Sequence, residues 1–175
     1  IIKIIALCLV TIKVSAIEKV ILFGDSLMAG YGLPNEQHLS VVLQNSLEVE
    51  GHNIEIVNGS VSGSTSAGGL NIAEWTLSEN NIDLMILCLG ANDMLRGINP
   101  KETKNNLEEI IKIAKSKNIK IIIAGMIAPT SYGYSYKKSF DKIFSDLSKK
   151  YKLQLIPFLL EGVAQKPEFN LSDGM

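Results

Sequence analysis

Apolar positions along this chain fall into two kinds of stretch that alternate. Short continuous runs rich in Ile, Val and Leu occupy Lys19–Phe23, Asn53–Val57, Asp83–Leu89, Ile119–Ala124 and Leu153–Ile156, each closed by Gly, Asn-Gly or Pro. Runs of this length and composition predict strands buried on both faces. Between them lie longer stretches with apolar residues at helical spacing. Glu36–Glu50 carries Leu39, Val42, Leu43 and Leu47, and Ala67–Asn80 carries Leu70, Ala73, Trp75 and Leu77. Pro100–Lys117 carries Leu107, Ile110, Ile111 and Ala114, and Tyr136–Lys150 carries Phe140, Ile143, Phe144 and Leu147. These match one face of a 3.6-residue period and predict amphipathic helices.

Strand–helix alternation implies right-handed crossovers and a parallel sheet with helices on both faces, an α/β fold. No internal repeat or interdomain linker interrupts it, and 175 residues suit a single domain with a proper core. The Gly, Ser, Asn and Asp residues cluster just after the strands. Open parallel sheets bind ligands at the carboxyl ends of their strands. The segments Gly24-Asp25-Ser26, Asn58 to Gly63 and Gly90 to Asp93 are therefore expected to share one rim.

Charge adds little to this picture. Seventeen basic residues face 18 acidic ones, for a net charge of −1, which favours neither nucleic acid nor an anionic membrane surface as a partner. Cys8 and Cys88 offer no disulfide framework, and no His, Cys or carboxylate pair has metal-ligand spacing. Cys88, inside an apolar run, reads as a small core residue. The N-terminus stands apart. Ile1 to Val14 is almost wholly apolar with Lys3 near its start, and Val14-Ser15-Ala16 offers small residues for cleavage. Residues 1–16 are thus expected to be a signal peptide and 17–175 the domain, exported to the periplasm or secreted.

Four polar segments are candidates for chemistry. A serine after a strand and a glycine, as in Phe23-Gly24-Asp25-Ser26-Leu27, can project its hydroxyl from the rim as a nucleophile, given an adjacent base. Asp25 or Ser26 could equally be a helix N-cap. The loop Asn58 to Ser66 contains Gly63, whose N–H can approach a ligand closely. It could also be a plain loop or an anion site, although the lysine of a Walker loop is missing. In Gly90-Ala91-Asn92-Asp93, the Asn92 amide can donate to a developing oxyanion, or the pair can close an Asx-turn. In Ser172-Asp173-Gly174-Met175, the carboxylate of Asp173 can orient an imidazole, or simply lie in a polar turn.

Taken in this order, the four segments resemble the blocks of the SGNH, or GDSL, hydrolases: Gly24-Asp25-Ser26-Leu27, then Gly63, then Gly90-Ala91-Asn92-Asp93, then Asp173. The resemblance runs from about Val20 to the end. It is nearest the periplasmic thioesterase I/lysophospholipase/arylesterase branch, which Met94-Leu95-Arg96-Gly97, Pro129 to Gly133 and Pro157-Phe158 also fit. It implies a three-layer, flavodoxin-like domain with a five-stranded parallel sheet in order 2-1-3-4-5. It implies a serine esterase with Ser26 as nucleophile. The oxyanion hole would comprise the Ser26 and Gly63 N–H groups and the Asn92 amide, and Asp173 would orient the base. No cofactor or metal is implied, and the substrate would be a small ester, thioester or lysophospholipid.

The pattern departs in one place. The family's histidine stands three residues after Asp173 and is followed by a C-terminal helix, whereas the chain stops at Met175 and lacks an initiator Met, so truncation at both ends is expected. His38 and His52 lie too far from the rim segments to substitute. Two rivals from other classes are an SGNH-like binding module without a base and a flavodoxin-like regulatory domain with Asp25 as phosphoacceptor. A carbohydrate O-deacetylase of the same fold is a further alternative.

Overall fold

The structure is a computed structural model that describes residues 17–78, 81–164 and 166–170. The expected signal segment, Cys8 included, lies outside the described residues. The elements run β1 (Lys19–Gly24), α1 (Ser26–Ala29), α2 (Leu39–Val49), β2 (Glu55–Asn58), α3 (Ser66–Thr76), β3 (Leu84–Cys88), α4 (Ala91–Leu95), α5 (Pro100–Ser116), β4 (Lys120–Ala124), α6 (Tyr134–Tyr151) and β5 (Gln154–Ile156). Single 3₁₀ turns occur at Asn35–Gln37, Thr130–Tyr132 and Pro167–Phe169.

The sheet has five parallel strands in order β2-β1-β3-β4-β5, as expected. The chain moves one way from β1 to β2 and the other way from β3 onward. Right-handed crossovers then put α2 on one face and α3, α5 and α6 on the other. The latter three pack side by side. Their apolar stripes make the larger half of the core: Leu107, Ile110, Ile111 and Ala114 of α5 and Phe140, Ile143, Phe144 and Leu147 of α6 are all buried. Helix α5 begins cleanly because Asn99 accepts a hydrogen bond from Lys101 N–H at 3.0 Å and Pro100 occupies the first turn.

Two expectations are corrected. Only β1 is buried almost throughout; β3 and β4 mix buried with half-buried positions, Lys120 of β4 is exposed, and the edge strands β2 and β5 carry no fully buried residue. Edge position and a thinner helical layer on the α2 side account for this. Trp75 was expected on the core stripe of α3 but is 84% exposed, whereas Ala73 and Leu77 are buried. At about 100° per residue, Trp75 stands roughly 200° around the helix from Ala73.

Register positions the functional rim. Gly24, the last residue of β1, lies beside Cys88, the last of β3. Leu22 lies beside Asn58 at the end of β2. A glycine is needed at 24, because a Cβ there would stand 2.6 Å from the Cys88 carbonyl oxygen and 2.7 Å from Met28 Cγ. Cys88 is buried as expected, and that burial pushes its thiol pKa upward.

Candidate active site

The three central segments meet at the carboxyl rim. Asp25 caps α1, its Oδ1 accepting from Leu27 N–H at 3.2 Å, so Ser26 is the first helical residue and not the cap. Ser26 is half-buried. Its N–H, like every first-turn N–H, has no intrahelical carbonyl to bond.

The loop after β2 is sewn to β1. Gly59 N–H and Ser60 Oγ both donate to the Leu22 carbonyl, at 2.9 and 3.0 Å, and Val61 N–H donates to the Gly24 carbonyl at 3.0 Å. The chain then reverses through Val61-Ser62-Gly63-Ser64, closed by Ser64 N–H on the Val61 carbonyl at 3.0 Å. Gly63 has φ +77° and Ser62 does not have positive φ, the signature of a type II turn. In such a turn the amide of the third residue, here Gly63 N–H, takes no part in the closing bond. The loop is therefore built, not slack.

Helix α4 completes the rim. Asn92 Nδ2 donates to the Ser64 carbonyl at 3.0 Å, and Arg96 Nη2 donates to the Gly63 carbonyl at 2.9 Å. Asp93 faces inward and is fully buried. Its carboxylate accepts from Ser66 N–H at 2.7 Å, from Ser66 Oγ, and from Thr103 Oγ1 at 3.1 Å. Asn106 Nδ2 adds a bond to Ser66 Oγ at 3.0 Å. Asn92 and Asp93 thus bond across the fold and close no Asx-turn. Sequence reasoning missed Arg96, Ser66, Thr103 and Asn106 as supports. Arg96 and Ser66 fall within the candidate segments but nothing local marks their partners, and Thr103 and Asn106 carry no local signal.

Asp25 is fully buried, and its Oδ2 has no hydrogen-bond partner among the described residues. Burial pushes its pKa up to about 6, and the nearby Asp93 carboxylate adds to the rise. Leu27 N–H and the Asn92 amide oppose it. Asp25 organises the Ser26 turn through its cap.

The histidines are elsewhere. The His38 ring packs on Gly30 with Nε2 3.1 Å from the Leu33 carbonyl oxygen, and the exposed His52 stands 3.9 Å from Glu50. Asp173 lies outside the described residues. Among the described residues, no cluster of His, Cys, Asp or Glu could hold a metal ion. A serine on a helix start, at a rim that also carries the Gly63 turn and Asn92, is an arrangement suited to acyl transfer.

Comparison with known proteins agrees with that geometry. Residues 22–175 match the GDSL-like Lipase/Acylhydrolase family. The chain is 37% identical over 160 residues to an arylesterase of Vibrio mimicus, covering 91% of this chain and 80% of that protein. It is 31% identical over 169 residues to thioesterase 1/protease 1/lysophospholipase L1 of Escherichia coli K12, covering 97% and 80%. Among solved structures, the SGNH-hydrolase family esterase AlinE4 superimposes with a TM-score of 0.86 at 37% identity, covering 92% of this chain and 86% of that one. With the sheet order, the rim segments and these relatives in agreement, the chain belongs to the GDSL-like lipase/acylhydrolase family, the SGNH hydrolases, and is a carboxylic ester hydrolase.

Proposed function

We propose that Ser26 is the nucleophile of a two-step acyl transfer. Ser26 Oγ attacks the ester or thioester carbonyl, and the resulting oxyanion is received by the N–H groups of Ser26 and Gly63 and by the Asn92 amide. Collapse expels the alcohol or thiol and leaves an acyl-enzyme, which water hydrolyses. The base is a histidine that the family pattern puts three residues after Asp173, with Asp173 orienting its ring. One observation carries this reading: α4 and the Gly63 turn are hydrogen-bonded into one rim next to Gly24-Asp25-Ser26.

The substrates are small esters, thioesters or lysophospholipids with an apolar acyl group. Leu27, Val61, Leu95 and Ile127 support this, because all four are exposed apolar residues on the loops and short helices that follow the strands. No helix among the described residues is long and apolar enough to cross a membrane. Residues 1–16 form a leader that directs the domain to the periplasm or out of the cell, and mass spectrometry of the exported protein would then begin near Ile17. A product retaining Ile1 in the cytoplasm would contradict export.

The test of the reaction uses the complete protein with nitrophenyl and acyl-CoA esters of graded chain length. Ser26→Ala is expected to abolish turnover while leaving the melting temperature within a few degrees. Full activity in that variant would overturn the nucleophile assignment.

A further inference from the structure

We propose that Arg96 is a positioning residue for the oxyanion hole, holding the Gly63 peptide at the orientation that catalysis needs. This rests on Gly63 N–H being an oxyanion donor.

The argument begins with the glycine. Gly63 sits at φ +77°, and a Cβ built on it would find nothing within 4 Å. Glycine has the widest backbone freedom of any residue. Here no packing on the Cβ side limits it, so hydrogen bonds must. The Gly63 N–H is kept for the ligand, which leaves its carbonyl and the flanking peptides as the only handles. Ser64 N–H closes the turn on Val61. The Gly63 carbonyl is gripped by Arg96 Nη2 at 2.9 Å and the next carbonyl, Ser64, by Asn92 Nδ2 at 3.0 Å.

These two grips come from one place. Asn92 and Arg96 are one helical turn apart, so they share a face of α4. Arg96 closes that helix, its own N–H bonding the Asn92 carbonyl at 3.1 Å. Between them Asp93 points the other way and pins Ser66, the first residue of α3. Helix α4 therefore splints the stretch from Gly63 to Ser66 at three points, and the outermost is Arg96. Arginine suits the task because its guanidinium is always charged, and a charge-assisted bond to a carbonyl is stronger than a neutral one. Without it, Gly63 can turn its N–H away from the position an oxyanion occupies. Substrate binding, which does not depend on that donor, would be untouched.

The test compares Arg96→Met and Arg96→Lys with the parent in the complete protein. Arg96→Met is expected to lower kcat by about tenfold or more with KM within twofold, since an interaction made only in the transition state is lost. The rate at which an alkyl phosphonate ester phosphonylates Ser26 is expected to fall in parallel, because its P–O oxygen uses the same hole. Arg96→Lys, which keeps a cationic donor, is expected to recover most of both rates. Arg96 is exposed, so the melting temperature should move little. An Arg96→Met protein with unchanged kcat, or one altered in KM alone, would overturn the proposal, the second outcome making Arg96 a substrate contact. So would a Lys variant no better than Met. Ser26→Ala measured alongside separates the two readings: activity surviving there removes the oxyanion-hole reading itself, whereas its loss together with normal Arg96→Met kinetics removes only the role of Arg96.

Discussion

Asn92 and Ser64, 28 residues apart in sequence, are joined by a 3.0 Å hydrogen bond from the Asn92 amide to the Ser64 carbonyl. A primary amide carries two N–H donors. One is thereby spent on holding the loop, which ties the amide to the turn that carries Gly63. The side chain proposed to receive the oxyanion is thus oriented by the same loop that presents Gly63. Asn92→Ala removes both functions. It is expected to lower kcat by roughly 10²–10³, the range found for other oxyanion donors, with KM changed far less. Steady-state kinetics on a nitrophenyl ester checks this, and a kcat within a few-fold of the parent would exclude Asn92 from the hole.

Asp25 makes stability depend on pH in an unusual direction. Its pKa rises from 3.8 to about 6 on folding. Between those values the folded state keeps a proton that the unfolded chain has released, so stability falls as pH rises through this window and is level above it. A shift of about two units corresponds to about 3 kcal/mol. Asp25→Asn keeps the cap acceptor for Leu27 N–H but cannot ionise. Denaturation between pH 4 and 8 is expected to show a flatter profile for the variant and greater stability than the parent at pH 8. Parallel curves would mean that Asp25 titrates normally.

Asp93 is a buried carboxylate held by three donors. Asp93→Ala strands Ser66 N–H, Ser66 Oγ and Thr103 Oγ1 in the interior. Loss of about 3–5 kcal/mol is expected, in the range for removing one partner from a buried charged network. Urea denaturation measures it, and a loss below about 1 kcal/mol would show that water replaces the carboxylate.

Trp75 of α3 and Leu77, the residue that caps its C-terminus, should behave unalike. Leu77 is 2% exposed and Trp75 is 84% exposed. Leu77→Ala is expected to cost about 2–5 kcal/mol through the cavity it leaves. Trp75→Ala is expected to stay within about 0.5 kcal/mol despite deleting a larger side chain. Thermal melts of the two variants decide it.

Much of this was legible in the chain itself. The five strands and four long helices follow from local period and composition, with ends shifted by at most four residues. The rim segments follow from glycine and polar residues after each strand. The short helices α1 and α4 were not legible from period, although the cap reading of Asp25 marks where α1 begins. Four or five residues make little more than one turn, too few for a period to show. Trp75 faces solvent because its angle around the helix, not its hydrophobicity, decides its side.

What the sequence by itself determined is therefore the set of parts: buried strands, amphipathic helices, a serine after Gly24-Asp25, a glycine able to take positive φ at 63, and an amide at 92. What only the tertiary structure decided is their support. Arg96 reaches Gly63 across 33 residues and Asp93 reaches Ser66 across 27, distances over which no local pattern operates. These meetings exist because Gly24 and Cys88 end adjacent strands in register, and because β2 returns beside β1, so that three loops leave the sheet at one edge. The raised pKa of Asp25 has the same origin. A carboxylate beside a serine is ordinary in the chain, and it becomes a reluctant acid only when the folded rim closes over it and removes its water.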